Sequence, residues 1–258
     1  MTDWTAELSA PQGPASRVCH LPEVDSTNTY LVDGLRTAPE QWPDRSVVIT
    51  DQQTAGRGRA GRSWVTGAGD ALTYSVAVDC PEPAVLPLLA GLAVRNTVMK
   101  MTGLVAATKW PNDILLSADT AIDGWGYHRK LGGVLCELVT TPRGPVVVVG
   151  IGVNLAQEIM PVPHATSLRA AGVEVDRADF GRAVLVDLFR LIDTWRQDAD
   201  EVFAELTGAC VTIGAQVQVS GPTPLVGTAT GLRADGALLV ASEQGVVPVL
   251  AGDVQLRV

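Results

Sequence analysis

The segment from Gln53 to Trp64 carries the densest set of residues that could do chemistry in this 258-residue sequence. It alternates three glycines with three arginines and closes on a tryptophan: Gly56, Arg57, Gly58, Arg59, Gly61, Arg62 and Trp64. Dense charge on so flexible a backbone disfavours a helix or a central strand. Guanidinium forks and glycine amides donate hydrogen bonds to anions, and the flat ring offers a surface for a base. The segment predicts a loop that closes over a nucleotide; an exposed basic loop without a ligand is the alternative.

Four further segments place polar or charged residues where a site could form. They are Ser26-Thr27-Asn28, Lys109-Trp110-Pro111-Asn112-Asp113, the run from Lys130 to Glu137, and Gly150-Ile151-Gly152-Val153-Asn154. Each alone has a structural interpretation, such as a helix cap for Ser26 or a surface ion pair for Lys109 with Asp113. Only three of the 19 basic residues are lysines, and Lys109 and Lys130 are two of them. Because an ammonium suits a single oxygen better than a fork does, their placement favours a specific task.

Composition limits the classes of function. With 258 residues and 47% hydrophobic residues, the chain can bury a full core and carry a small appendage. The net charge of −9 argues against a broad nucleic-acid surface, so no nucleic-acid partner is expected. The longest apolar run, Val146 to Val153, is shorter than the roughly 20 residues of a membrane-spanning helix. Four scattered cysteines and three scattered histidines predict neither a zinc site nor a disulfide framework, and a cytoplasmic protein is expected.

Hydrophobic periodicity and breaker residues predict the elements that must position these segments. Residues 1–17, rich in Pro, Ala and Ser, predict a flexible lead-in, and the polar stretch from Ser117 to Gly126 predicts a long exposed loop. Short alternating strands after Val211 predict a small β-barrel. Strands are expected near residues 18–24, 45–50, 71–78, 105–108, 131–139 and 145–151, and helices near 26–35, 84–101 and 177–206.

Taken in this order, the five segments closely resemble those of the biotin protein ligases. Gly-Arg-Gly-Arg-x-Gly-Arg followed by Lys-Trp-Pro-Asn-Asp carries the resemblance, which extends over residues 18–258. It implies an α+β fold with a mixed, largely antiparallel sheet flanked by helices, similar to class II synthetases. A catalytic domain at 18–208 and a C-terminal SH3-like β-barrel at 211–258 are expected. No counterpart of the N-terminal DNA-binding domain of some members is expected.

The resemblance also implies the reaction. Biotin is activated with ATP to biotinyl-5′-adenylate, and biotin is then transferred to a lysine of a biotin carboxyl carrier protein. ATP, Mg²⁺ and biotin are the implied small molecules. The carrier is the implied partner, and a monomer or weak homodimer is expected.

The resemblance further implies roles for individual residues. Those expected in catalysis are Lys130, Arg59, Lys109 and Asp113. Those expected to bind biotin are Ser26, Thr27, Asn28, Gln53, Gly56, Arg57, Arg59, Lys130, Gly132 and Gly133. Those expected to bind ATP or the adenylate are Arg57, Arg59, Arg62, Trp64, Lys109, Asn112, Asp113, Lys130 and Asn154. No protein cluster is expected to hold a metal; magnesium is expected to arrive with ATP, near Asp113.

Two features of the sequence bear on the resemblance to the biotin protein ligases, and three alternative functions stay open. The interval between Lys109 and Lys130 is longer than the family pattern, so the stretch from Ser117 to Gly126 is interpreted as an insertion that tolerates shortening. Because every motif ends by Asn154, residues 211–258 are expected to matter more for transfer or stability than for adenylation. The alternatives are a lipoate-protein ligase, which shares the fold and adenylation chemistry, a non-catalytic biotin- or nucleotide-responsive module, and nucleic-acid binding through the arginine loop.

Overall fold

A seven-stranded mixed sheet organises the larger part of the chain in the computed structural model, which describes residues 2–80, 83–221 and 224–257. Its strands are β1 (Arg17–Val24), β2 (Ser46–Gln53), β3 (Ala71–Asp79), β4 (Ala106–Lys109), β5 (Asp113–Ile122), β6 (Gly126–Thr141) and β7 (Gly144–Asn154). Their order is β1-β2-β3-β7-β6-β5-β4. Strands β1 and β2 run parallel, and the other neighbouring pairs are antiparallel. The predicted mixed, largely antiparallel sheet flanked by helices is confirmed.

Helices cover both faces of this sheet. They are α1 (Trp4–Leu8), α2 (Thr27–Thr37), α3 (Leu86–Thr102), α4 (Arg177–Gln197) and α5 (Ala199–Ala209). The sheet has a hydrophobic core on each face. The valines at the start of β7 point into the two cores in turn, because successive side chains of a strand point to opposite faces. Val147 and Val149 join the core under α1, α3, α4 and α5, whereas Val146 and Val148 join the smaller core under α2. None of the helices among the described residues is long and apolar enough to cross a membrane.

The ends of the helices follow their capping residues. The Ser26 hydroxyl accepts from the backbone N–H of Thr29 at 3.4 Å, and Gly103 ends α3 in the left-handed region at φ 72°, as predicted. The single helix predicted over 177–206 is wrong. Asp198 stands between α4 and α5 with φ −146°, and its carboxylate accepts from Asp200 N at 3.1 Å. Asp198 ends α4 and caps the start of α5. The apolar stripe continues across both helices, so the hydrophobic pattern alone does not show the break.

The N-terminal residues form part of the core rather than the predicted flexible lead-in. Helix α1 buries Trp4 to 1% and Leu8 to 0% exposure in the larger core. The guanidinium of Arg177 lies 4.9 Å from the Trp4 ring centroid, and Arg182 pairs with Glu7 at 2.8 Å. The Pro, Ala and Ser content of residues 1–17 predicted a loose segment, but Trp4 and Leu8 have the i, i+4 spacing of one helix face.

A five-stranded antiparallel sheet follows the helices. Its strands are β8 (Gln216–Ser220), β9 (Leu225–Leu232), β10 (Leu238–Ser242), β11 (Gly245–Val249) and β12 (Asp253–Leu256), in the order β11-β10-β9-β8-β12. Trp110 ties this sheet to the larger one, because its indole Nε1 donates to Gly236 O and its backbone N donates to Thr212 Oγ1, both at 3.0 Å. The predicted domain boundary at 208–211 stays a prediction.

The burial of α1 predicts that Trp4→Ala lowers the free energy of unfolding by about 3–5 kcal/mol, because the ring leaves a cavity in the core. Thr5→Ala is the matched control, since Thr5 is exposed on the same helix. It should change the unfolding free energy by less than about 0.5 kcal/mol. Urea denaturation followed by circular dichroism measures both, and equal effects would show that α1 is not docked.

Candidate active site

The five motif segments meet around one cavity of about 600 Å³. It lies between the larger sheet, the C-terminal sheet and the arginine loop, the name used here for residues 53–64. The sequence-predicted residues that line it are Ser26, Thr27, Asn28, Gln53, Arg57, Arg59, Arg62, Trp64, Lys109, Asn112, Asp113, Lys130, Gly133 and Asn154. The cavity therefore receives side chains from the start of α2, the end of β2, the β4–β5 turn and the strands β6 and β7. Residues that are distant in sequence form a single site.

Two glycines expected to contact biotin pack closely against neighbouring backbone. A Cβ on Gly56 would stand 2.3 Å from the carbonyl oxygen of Trp64, and a Cβ on Gly132 would stand 2.6 Å from that of Gly152. Both positions need glycine because one backbone passes directly over another. Neither residue is among those that line the cavity, and their predicted contacts with biotin stay a prediction.

One carboxylate joins the two lysines of the site. Asp113 Oδ1 lies 2.6 Å from Lys130 Nζ, and Asp113 Oδ2 lies 3.2 Å from Lys109 Nζ. Asp113 and Lys109 are buried, whereas the Lys130 side chain is 24% exposed. Burial alone would raise the pKa of the Asp113 carboxyl, but the charges and hydrogen bonds of Lys130 and Lys109 outweigh it and hold the pKa below its usual value. The triad presents one net positive charge to the cavity, mainly through Lys130.

Strand pairing builds this triad. Lys109 and Asp113 face each other across the β4–β5 pair. On the other side of β5, the register shifts so that Lys130 opposes Leu115 and Gly132 opposes Ile114, which leaves one extra residue in β6. A β-bulge re-aims the side chain next to it. The bulge places the Lys130 ammonium beside Asp113.

The triad leaves neither oxygen of Asp113 free of an ammonium partner, and the expectation that magnesium arrives with ATP near Asp113 stays a prediction. Each oxygen of the carboxylate already accepts from an ammonium group. Magnesium needs carboxylate oxygens that are available for octahedral coordination. Within the described ranges, no group of three His, Cys, Asp or Glu residues is arranged to hold a metal. The residues present do not fit a protein-bound magnesium.

A buried polar network supports the start of α2. Gln53 Oε1 accepts from the backbone N–H of Thr27 at 2.9 Å. The Ser75 hydroxyl lies 2.8 Å from Thr27 Oγ1 and 2.6 Å from Asn28 Oδ1. Asn28 Nδ2 donates to Glu137 Oε2 at 2.9 Å. Sequence reasoning missed Ser75, although a hydroxyl inside an apolar strand was a usable signal.

The arginines of the loop are held by different elements. Arg57 pairs with Glu137 and donates to Thr29 Oγ1 at 3.2 Å. Arg59 Nη1 donates to Asn112 Oδ1 at 3.3 Å. Burial lowers the pKa of Arg59, against the opposing effect of the nearby carboxylates. The guanidinium nevertheless stays charged, since arginine begins far above neutrality.

The glycines of β7 make room for two of the predicted residues. Gly150, Gly152 and Asn154 alternate along one strand and so point to one face. A Cβ on Gly150 would stand 2.1 Å from Asn28 Oδ1, and a Cβ on Gly152 would stand 2.7 Å from the Trp64 ring. The Gly-x-Gly spacing thus lets Asn28 and Trp64 lie directly against the sheet. The indole Nε1 of Trp64 is buried and has no hydrogen-bond partner among the described residues.

The stretch from Ser117 to Gly126 is a hairpin end rather than the predicted exposed loop. Its tip residues, Gly124 and Trp125, line the cavity. The Trp125 ring stacks on His164 with centroids 4.5 Å apart and an interplanar angle of 10°. The backbone N–H of Leu256 in β12 donates to Gly124 O at 3.1 Å. The interpretation of this stretch as an insertion that tolerates shortening stays a prediction.

The C-terminal sheet also contributes to the site, which the motif positions did not suggest. The cavity is lined by Ser220 of β8 and by Asp253, Val254 and Gln255 of β12. Asp253 Oδ2 lies 2.5 Å from Arg62 Nη2. The expectation that residues 211–258 matter more for transfer or stability than for adenylation stays a prediction.

Comparison with known proteins agrees with this geometry. Residues 21–154 match the biotin/lipoate A/B protein ligase family, and residues 212–257 match the biotin protein ligase C terminal domain. The chain is 35% identical over 244 residues to the biotin--[acetyl-CoA-carboxylase] ligase of Mycobacterium tuberculosis, covering 90% of this chain and 86% of that protein. The chain belongs to the biotin protein ligase family.

Solved structures of biotin protein ligases share the fold. The Aquifex aeolicus ligase in complex with biotin and ATP is 27% identical, with a TM-score of 0.78 over 94% of this chain and 99% of that one. The Leishmania major ligase in complex with biotinyl-5-AMP is 26% identical, with a TM-score of 0.61 over 95% of this chain and 100% of that one. The seven-stranded sheet with its C-terminal antiparallel sheet is therefore a biotin protein ligase fold.

The triad predicts that Asp113→Asn lowers the unfolding free energy at neutral pH by about 3–5 kcal/mol, because Lys109 is left buried without its counter-ion. A depressed folded-state pKa gives stability that is present above the unfolded value of about 3.9 and is lost as pH falls through the folded value. The difference between wild type and Asp113→Asn should therefore shrink below about pH 4.

Urea denaturation across a pH series measures this difference. Asp119→Asn is the control, because Asp119 is exposed on the same strand. A difference that stays constant with falling pH would contradict a depressed pKa for Asp113.

Proposed function

We propose that this chain is an ATP-dependent biotin protein ligase that forms biotinyl-5′-adenylate and transfers biotin to a lysine of a carrier protein. The observation that carries the proposal is the Lys109–Asp113–Lys130 triad facing a cavity that the arginine loop also lines. This arrangement brings fixed cations together where two anionic substrates would have to react. Electrostatic preorganisation of that kind is usually the largest catalytic contribution.

In the first step, a biotin carboxylate oxygen would bond to the α-phosphorus of ATP as pyrophosphate leaves with its bonding electrons. The reacting groups repel each other because both are negative. We assign Lys130 to the space between them, since it is the more exposed lysine and Asp113 fixes it at 2.6 Å. Arg57, Arg59 and Arg62 would stabilise charge on the phosphoryl oxygens.

In the second step, the ε-amine of the carrier lysine would attack the acyl carbon of the adenylate. AMP would leave, and the amine would lose a proton as the amide bond forms. We assign Trp64 and Asn154 to the adenosine side of the site. The cavity-lining residues of α2 and β2, Ser26, Thr27, Asn28 and Gln53, are assigned to the biotin ring. Gly133 leaves backbone exposed beside Lys130, where a Cβ would stand 3.3 Å from its ammonium.

Biotin is favoured over lipoate as the acid that is activated. The family model over residues 21–154 covers both kinds of ligase, but the model over residues 212–257 belongs to biotin protein ligases. The ligase from Mycobacterium tuberculosis is named for acetyl-CoA carboxylase, so a carboxylase carrier domain is the proposed acceptor. Magnesium would enter with the phosphates of ATP, since both oxygens of Asp113 are already paired.

The proposal extends to the setting of the reaction. We place it in the cytoplasm, where ATP and carboxylases are available, and we expect a monomer or weak homodimer that binds no nucleic acid. The C-terminal sheet would curl into an SH3-like β-barrel. In β8, Val217 and Val219 are buried while Gln216 and Gln218 are exposed, which gives the sheet one inner face.

Lys130→Ala and Lys130→Arg should each slow biotinyl-adenylate synthesis about 100- to 1,000-fold, which is the usual cost of losing one preorganised electrostatic contact. Arginine retains the charge, but its wide planar fork does not fit a space bounded by Asp113 and Gly133. Transfer from pre-formed biotinyl-adenylate should suffer less, because the phosphate charge is then partly neutralised.

Single-turnover kinetics of both half-reactions, with adenylate detected by mass spectrometry, test this assignment. Lys100→Arg is the matched control, since Lys100 is the third lysine of the chain and is exposed in the last turn of α3. Normal adenylation by Lys130→Arg would mean that charge alone suffices. Equal losses in both half-reactions would mean that Lys130 is structural.

A further inference from the structure

We propose that Trp125, at the tip of the β5–β6 hairpin, is a positioning residue for adenylate synthesis because its ring fixes both lysines of the site. The inference rests on the proposed function. It assigns the hairpin tip the task of holding the cationic centre in place on the nucleotide side of the cavity.

The first contact of Trp125 is with Lys109. The Lys109 ammonium lies 4.7 Å from the centroid of the indole ring, within the range of a cation–π interaction. Lys109 also lies 3.2 Å from Asp113. A lysine side chain is flexible, so one ion pair leaves rotation about the stem unrestrained. The ring supplies a second restraint from another direction.

The second contact leads to Lys130 through His164. The His164 ring stacks on Trp125 at 4.5 Å, while His164 O accepts from the backbone N–H of Lys130 at 2.7 Å. A second backbone hydrogen bond joins the same two segments, since Thr166 N donates to Lys130 O at 2.9 Å. The loop after β7 thus lies along the backbone of Lys130, and the stack holds that loop against the hairpin.

The charge of the stacked ring is compatible with this task. Burial, followed by the nearby charge of Lys130, lowers the pKa of His164. The lowered pKa favours the uncharged imidazole, which adds no repulsion to the two ammonium groups.

Strand β12 holds the hairpin tip in place. Leu256 N donates to Gly124 O at 3.1 Å, and a Cβ added at Gly124 would stand 3.6 Å from the Gln255 side chain. Asp253, on the same strand, binds Arg62 of the arginine loop. One strand therefore anchors two walls of the cavity. The contacts of β12 with Gly124 hold the hairpin tip in place, and they therefore restrain the neighbouring Trp125.

Trp125→Ala, Trp125→Phe and Tyr127→Ala separate this role from general stability. Tyr127 lies two residues further along the hairpin, is 57% exposed and does not line the cavity, so it is the matched control. Single-turnover rates of adenylate synthesis, kcat and KM for ATP and biotin, transfer from pre-formed adenylate, and the midpoint of thermal unfolding are measured for each variant.

Trp125→Ala should lower kcat/KM for ATP in adenylate synthesis about 10-fold or more, as expected when a catalytic group is misplaced by about 1 Å. Transfer from pre-formed adenylate and KM for biotin should change less than about twofold. Trp125→Phe should restore most of the rate, because it keeps a π face. Tyr127→Ala should match wild type. If Trp125→Ala does not fold, Trp125→Leu replaces it, since leucine keeps apolar volume without the π face.

A double-mutant cycle tests the route through Lys109. If Trp125 acts by positioning Lys109, the loss in Lys109→Ala with Trp125→Ala should be smaller than the product of the two single losses. Wild-type rates in Trp125→Ala, equal losses in both half-reactions, or no rescue by phenylalanine would overturn the inference while leaving the proposed function intact. A wild-type protein that makes no biotinyl-adenylate would overturn the proposed function, and this inference with it.

Discussion

The shared carboxylate of Asp113 is the interaction on which the site depends. Two ammonium groups near one point repel each other, and in a buried setting that repulsion is poorly screened. Asp113 lies between them, 2.6 Å from Lys130 and 3.2 Å from Lys109, and offsets both charges while leaving one in excess. The β4–β5 pairing brings Lys109 to this carboxylate, and the bulge in β6 brings Lys130 to it. A substrate anion would meet a cationic centre that is already assembled.

Close backbone packing is the second constraint. The cavity floor accommodates Asn28 and Trp64 because Gly150 and Gly152 have no side chains on the same face of β7. Gly132 is needed for a different reason, since β6 and β7 approach each other there. Small residues thus serve two purposes in this fold: some admit functional side chains to the sheet, and others allow strands to meet.

The C-terminal sheet completes the site rather than accompanying it. Strand β12 contacts the arginine loop through Asp253 and the hairpin tip through Leu256. The arginine loop and the hairpin tip both contact this strand, which fixes their positions relative to each other. Adenylation chemistry and the C-terminal sheet are therefore parts of one structural unit, although the motifs that announce the chemistry end at Asn154.

The sequence by itself indicated the individual strands, helices and caps, because those patterns are local. Its resemblance to the biotin protein ligases implied the chemistry, the sheet-and-helix class and the residues that meet at the cavity. Tertiary structure decided what each residue packs against. Gly56 and Gly132, which were expected to touch the ligand, lie where a neighbouring backbone leaves no room for a Cβ. Trp4 and Trp125 became part of the core and of the cavity wall through partners far along the chain. Register shifts and docking between distant elements set those contacts, and no local pattern encodes them.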